Sequence, residues 1–308
     1  MFHKTVMLQP FADISVYTEG FEIVSAQLGG DGCVYVLLIN RVPERKRGMF
    51  VQSALNQPHT YKVLMVESQE YIDEITFPEQ HFNYHYVQPL RRQLLLVGAR
   101  STYYGAGQYD LNAKVCDYTG STVREFLLGD GIQNVQVTEK GTIWTSYFDE
   151  GVFGNNGWDQ PVGEHGLVAW DEHGNKLYED HVSDIADCYA LNVVREEQVW
   201  FYYYTDFLLG CISGGPGQPK VTFVNPKISG SAGFCTDGCH FLFDGGYGKH
   251  GEYYLKKMEQ SSLTKGHKLQ FLNEKSEPFE LMSQDFREDR VLFCADDKLY
   301  QVSVKELV

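Results

Sequence analysis

Along the chain, a polar, turn-prone cluster is repeatedly followed at once by four or five strand-forming residues. Six copies stand out: GGDGCVYVLL (29–38), PLRRQLLLVG (89–98), TEKGTIWTSY (138–147), VREEQVWFYY (194–203), CTDGCHFLF (235–243) and FREDRVLFCA (286–295). The residues after the turns are Cys33, Gln93, Thr142, Gln198, Cys239 and Arg290, at intervals of 60, 49, 56, 41 and 51. A mean period of about 51 residues falls in the range of propeller-type repeats. Each copy is preceded by another strand-like stretch (21–28, 84–90, 133–138, 187–194, 231–235 and 279–284), so each repeat opens with a hairpin.

A second hairpin follows the first. KVCDYTGSTVREF (114–126) can be laid on VAWDEHGNKLYED (168–180), with Asp117 on Asp171 and Gly120 on Gly174. The glycine suits a turn that needs positive φ. VLMVESQEYIDEITF (63–77) has the same shape. Four strands per repeat, named A to D from the axis outward, make one blade. The pattern therefore predicts an all-β chain, a six-bladed β-propeller of four-stranded antiparallel blades in a single domain. The expected blades are 21–78, 83–128, 131–182, 186–225, 229–273 and 279–308 together with 4–17. The last repeat has only three strands of its own, and one of two N-terminal pieces, 4–8 or 14–17, is expected to complete it and close the ring.

Composition sharpens this picture. The 308 residues are 43% hydrophobic and 14% aromatic, which excludes a disordered chain. No apolar run reaches the roughly 18–20 residues of a membrane helix, and the start lacks the features of an export signal. A net charge of −15 opposes binding to phosphate backbones, so nucleic acid is not the expected partner. The seven cysteines sit mostly in apolar runs, as reduced core residues of a cytoplasmic protein would. No nucleophile elbow, P-loop, HExxH or dinucleotide fingerprint occurs. Residues 1–100 carry 9 basic and 10 acidic side chains, so the acidity is concentrated after them. One basic cluster, Arg41-Val42-Pro43-Glu44-Arg45-Lys46-Arg47, breaks that pattern and reads as a solvated face or as a contact for an acidic ligand.

GDGIQNVQVTEKGTIWTSYFDEG (129–151) resembles the blade motif of six-bladed propellers of the NHL-repeat and gluconolactonase/regucalcin kind. The resemblance implies a face on which the B-to-C loops gather near the start of the A strands. In gluconolactonase-like enzymes it also implies a divalent metal held by one Glu, two Asn and one Asp, with a carboxylate as general base. Glu22 and Asp130 stand where that pattern wants a Glu and an Asp, and Asp149 is a third candidate ligand. Asn134 and Asn192 are the asparagines nearest the A strands. Calcium is the expected ion, another divalent cation the alternative.

Long B-to-C connections are expected at 41–58, 100–112, 149–166 and 244–252, and long loops in a compact domain usually carry function. Polar residues at the ends of B strands and starts of A strands should ring the channel mouth: Glu22, His85, Arg100, Asn134, Asp149, Asp187, Asp206, Asp244, Glu280 and Asp296. The bland reading of each Asp is a turn former. The loop DEGVFGNNGWDQPVGEHG combines the acceptors Asp149, Glu150 and Asp159 with Asn155, Asn156, Phe153 and Trp158, a mixture that suits a sugar or a peptide. Its rings read equally as staples that pin the loop. Tyr103, Tyr104 and Tyr109 in one further loop, and Asp244, Tyr247 and His250 in another, share its flavour. The function these features favour is capture of a ligand or protein by a monomeric, non-catalytic propeller. The alternative is a divalent-metal-dependent hydrolase or lactonase.

Overall fold

In a computed structural model that describes residues 3–45 and 51–308, 52% of the chain is strand and 4% helix. The strands form six antiparallel blades. Blade 1 is Glu22–Leu28, Val34–Ile39, Ala54–Ser68 and Tyr71–Phe82; blade 2 is Tyr86–Leu90, Gln93–Val97, Ala113–Cys116 and Thr122–Phe126. Blade 3 is Ile132–Val137, Ile143–Tyr147, Leu167–Trp170 and Lys176–Glu179; blade 4 is Asp187–Arg195, Gln198–Tyr204, Leu208–Ser213 and Lys220–Val224. Blade 5 is Phe234–Thr236, His240–Asp244, Tyr253–Glu259 and His267–Leu272, and blade 6 opens with Ser283–Arg287, Arg290–Ala295 and Lys298–Ser303.

The ring closes through the N-terminal segment, with two differences from expectation. The fourth strand of blade 6 is the two-residue Ala12–Asp13, antiparallel to the Leu299–Lys298 end of its neighbour. Residues 14–17 are not a strand: the Asp13 carboxylate accepts the Ser15 N–H at 3.0 Å and turns the chain into the short helix α1 (Ser15–Thr18). The strand His3–Met7 joins blade 5 instead, parallel to His267–Leu272, as a fifth strand. Blade 6's A strand also begins later than 279; Phe279 lies outside it and stacks on Phe293 at 5.2 Å. The C strand of blade 1 starts at Ala54, so residues 54–58 are strand rather than loop.

Among the described residues, six hydrophobic clusters hold the ring, one at each seam between neighbouring blades. The reason lies in strand geometry. Successive side chains point to opposite faces, and both faces of a blade are covered, so the central residues of the B strands are buried on both sides. Val34, Val36 and Leu38 pack toward blade 6, while Tyr35, Leu37 and Ile39 pack toward blade 2.

At the A-to-B end, the axis is filled by side chains of the A strands. Gln27 accepts the Val87 N–H (2.8 Å), Gln136 accepts the Val193 N–H (2.7 Å), and Asn192 accepts the Glu288 N–H (2.7 Å). Asp285 accepts the Leu28 N–H at 2.7 Å across the closing seam. Arg287, almost fully buried, donates to Gln88 Oε1 (2.9 Å) and to the Val137 carbonyl (2.6 Å), tying blade 6 to blades 2 and 3. A polar side chain recurs five or six residues before the hairpin anchor in five of the six repeats: Gln27, Gln88, Gln136, Asn192 and Asp285. That register was visible in the sequence and marks the residues that seal this end. Of the cysteines, all seven are free thiols; five are buried, Cys33 is intermediate and Cys239 is exposed.

Candidate functional site

In an antiparallel blade the B-to-C and D-to-A connections leave from the same edge, so all twelve gather on the face opposite the sealed end. There the blade 2 insertion folds into its own hairpin, Tyr103–Gly105 against Gln108–Tyr109. The blade 3 insertion begins with the five-residue helix α2 (Asp149–Phe153). The two are joined around Asp130. Its buried carboxylate takes a bidentate pair of hydrogen bonds from Arg100, both at 2.9 Å, the Ser101 N–H at 2.8 Å and the Asn156 amide at 3.2 Å. Arg100 also pairs with Glu150. Asp130 is therefore not free to serve as the metal ligand that the resemblance implied, because its oxygens are committed to holding the two insertions together. Gly131 has φ +71 and the Gly151 backbone lies where its side chain would be, so α2 rests directly on the start of blade 3.

Trp158 is held in the way a staple would be. Its Nε1 donates to the Ser101 carbonyl at 2.8 Å, and its ring lies 5.1 Å from Tyr103 and 5.8 Å from Tyr109. Asn156 belongs to the same join, its carbonyl accepting the Tyr103 N–H at 2.9 Å. Asn155 accepts the Asn156 N–H, and Asp159 is exposed. Tyr104 and Phe153 are different: they are 60% and 70% exposed, with the Tyr104 hydroxyl steadied by Asp110 at 3.0 Å.

At the mouth, a cavity of about 440 Å³ is lined by Asn83, His85, Arg100, Phe148, Asp149 and Glu150, among others. His85 accepts the Ala99 N–H on Nδ1 at 3.0 Å, and its Nε2 lies 3.3 Å from the Asn83 amide nitrogen. Burial, aided by Arg100, pushes its pKa down to about 4, so the ring is neutral at ordinary pH. Asp187 behaves in the opposite sense to Asp130. Its Oδ1 is buried without a hydrogen-bond partner, and burial together with the Asp149 charge pushes its pKa up to about 7. Asn134 donates to Ser146 Oγ at 3.1 Å, and Glu22 is exposed. Among the described residues, no three His, Cys, Asp or Glu side chains assemble as a metal-binding group.

A second aromatic group spans blades 4 and 5 on this face. Tyr189 stacks on Tyr204 (6.4 Å, 10°) and shares a hydroxyl contact with Tyr247, whose ring is 6.0 Å from Phe207. Tyr247 is 56% exposed. Asp244 does not reach the mouth as a ligand: it is fully buried, and it shapes the 244–252 loop by accepting from Ala232 N, Gly246 N and His250 Nδ1. Asp206 and Asp296 sit in tight turns, where Phe207, Asp296 and Asp297 all have positive φ. Glu280 lies exposed in the D-to-A connection of blade 6, outside the A strand. Lys46 and Arg47 of the basic cluster fall outside the described residues. Tyr189 and Tyr204 were missed by sequence reasoning, since within a strand their aromaticity is indistinguishable from that of core residues.

A family model described as the YxzG family matches residues 163–214, the outer part of blade 3 and the first three strands of blade 4. No curated protein matches the chain. Among solved structures, the chain is similar to selenomethionine-substituted virginiamycin B lyase from Staphylococcus aureus at 10% identity and a TM-score of 0.51, with 91% of this chain and 94% of that one covered. It is also similar to a gluconolactonase from Xanthomonas campestris (12% identity, TM-score 0.48, 87% and 89% covered). A third likeness is to the Swd1 β-propeller domain from Myceliophteria thermophila (12%, 0.49, 92% and 83%). At such identities the likeness shows the fold alone, and the six-bladed architecture is the one the sequence motif suggested.

Proposed function

We propose that the protein is a binding propeller that captures a peptide segment of a protein partner on its loop-rich face. The observation that carries this reading is the distribution of exposed rings. Tyr104, Phe153, Tyr204 and Tyr247 come from blades 2, 3, 4 and 5 and share one face, while their neighbours Trp158, Tyr103 and Tyr189 are held by stacking. Rings that are presented on a rigid base and left open to water are what a docking surface needs. The amides and carboxylates between them supply the polar rim. Metal-assisted hydrolysis has no comparable support, because Asp130 is taken up by Arg100 and, among the described residues, the carboxylates at the mouth do not converge in a group of three.

The reading is tested by affinity capture from the cells that express the protein. The double variant Phe153→Ser with Tyr104→Ser is compared with a control pair on other surfaces, Tyr71→Ser with Tyr118→Ser. Loss of the captured protein in the first pair alone supports the proposal; equal retention in both pairs refutes it.

A further inference from the structure

A second surface lies at the A-to-B end of the ring, away from the loop-rich face. There a groove of about 650 Å³ runs along the outer strands of blade 1, beside the blade 2 turn that carries Tyr118. Strand pairing explains its floor. Tyr35, Met65 and Asp73 stand in one row across the B, C and D strands, so their side chains share a face, the one turned toward blade 2. With Ile75 beside them, Tyr35 and Met65 give the groove an apolar base.

Blade 2 supplies a rigid wall. The Asp117 carboxylate accepts the Thr119 and Ser121 N–H groups at 2.9 and 3.0 Å, which fixes the turn. Gly120, at φ +86, lets that turn rest against the Thr76 carbonyl of blade 1. Tyr118 is thereby held on a firm base with its ring exposed, and Tyr71 is a second exposed ring in the same groove.

The charge here has one sign. Asp31, Glu67, Glu70, Asp73 and Glu74 line the groove, and no lysine or arginine does. Glu74 is paired with Lys62 at 3.3 Å, and Arg290 on the neighbouring turn donates to the Gly32 carbonyl at 3.2 Å. Glu67, Glu70 and Asp73 have no ion-pair partner among the described residues. Burial, with the charges of Asp31 and Glu67 added to it, raises the pKa of the Cys33 thiol in the same groove. The carboxylates are not gathered on one point: among the described residues no three converge as a metal-binding group. Separated charges of one sign over an apolar base suit a chain that carries separated charges of the other.

We propose that this groove docks an arginine-bearing peptide segment of a partner protein. The guanidinium groups pair with the open carboxylates, and their planar faces stack on the Tyr71 and Tyr118 rings. Their alkyl stems cover the apolar base. Complementary charge of this kind steers encounter and sets the choice of partner. The segment bound here and the one captured on the loop-rich face are separate ligands, so either site can fail without the other.

Isothermal titration calorimetry on the full chain tests it, with the blocked peptide acetyl-GRGRGRG-amide and its lysine and glutamate counterparts as the probes. The expected result is one-to-one binding of the arginine peptide, weaker binding of the lysine peptide and none of the glutamate peptide. Glu70→Lys with Asp73→Lys, both exposed positions, is expected to weaken the arginine peptide by roughly tenfold or more. Glu19→Lys with Asp184→Lys makes the same change in net charge at exposed positions outside the groove, and is expected to alter binding by no more than about twofold. Sedimentation of the free chain reads the other occupant, a second copy. Self-association that the groove pair abolishes assigns the groove to that copy and overturns the proposal. So does a wild-type chain that takes up no arginine peptide, a lysine peptide that binds as tightly, or an equal loss in both variant pairs.

Discussion

The two ends of the axis are built from the same kinds of side chain and put to opposite use. At the A-to-B end, Gln27, Gln88, Gln136, Asn192, Asp285 and Arg287 hydrogen-bond from blade to blade and close the channel. At the loop-rich end, Asp130 is satisfied in the same manner, yet Asp187 holds a buried oxygen without a partner and rings stand open to water. Polar residues that complete one another's hydrogen bonds make structure. Each end keeps a buried atom without a partner, Arg287 Nε at the sealed end and Asp187 Oδ1 at the other, so what sets the loop-rich end apart is its exposed rings.

The sharpest way to break this contrast is at the sealed end. Arg287→Ala leaves Gln88 Oε1 and the Val137 carbonyl short of a donor and removes a buried cation beside Asp285. The expected loss is about 3–5 kcal/mol, read from urea unfolding. A loss below 1 kcal/mol would mean that the axial bonds do not hold the ring. Trp158→Ala comes next, at about 2 kcal/mol, because the ring is only partly buried and its N–H bond joins two insertions. Faster hydrogen exchange should be confined to residues 101–110 and 149–166; exchange that rises around the whole ring would contradict the local role.

The third effect depends on pH. Asp187 has a folded pKa raised to about 7, well above its ordinary value of 3.8, so its protonated form favours the folded state. Stability from this group is complete below about pH 4 and is lost as pH rises through 7. Asp187→Asn should therefore unfold at nearly the same urea concentration as wild type at pH 4, and at a higher one at pH 8. A difference between the two proteins that does not change with pH would show that Asp187 is ordinarily solvated. The smallest expected effect is that of Phe153→Ser, within about 0.5 kcal/mol, since the ring touches little of the core. A larger destabilisation would make Phe153 a structural residue and remove it from the docking face.

The propeller was legible because strand alternation, turn clusters and a repeating period all point the same way. The closing strand was harder: Ala12–Asp13 is too short to carry a pattern, and its position depends on pairing with Lys298 and Leu299 at the far end of the chain. Site residues divided by the same logic. A sequence places Asp130 at the end of one loop and Asp244 and Asp296 at the starts of two others, but only the fold shows that Arg100, the loop amides or a turn has claimed an oxygen or the backbone of each. Trp158 and Phe153, five residues apart, were equivalent in the sequence; neighbours from blade 2 make one a staple and leave the other exposed.

The most direct test of the docking face is hydroxyl-radical footprinting of the protein, free and with its captured partner bound. The account predicts protection at Tyr104, Phe153 and Tyr247 together, with Tyr71 and Tyr118 unchanged. Protection at Tyr71 and Tyr118 with the loop-face rings still reactive would contradict it.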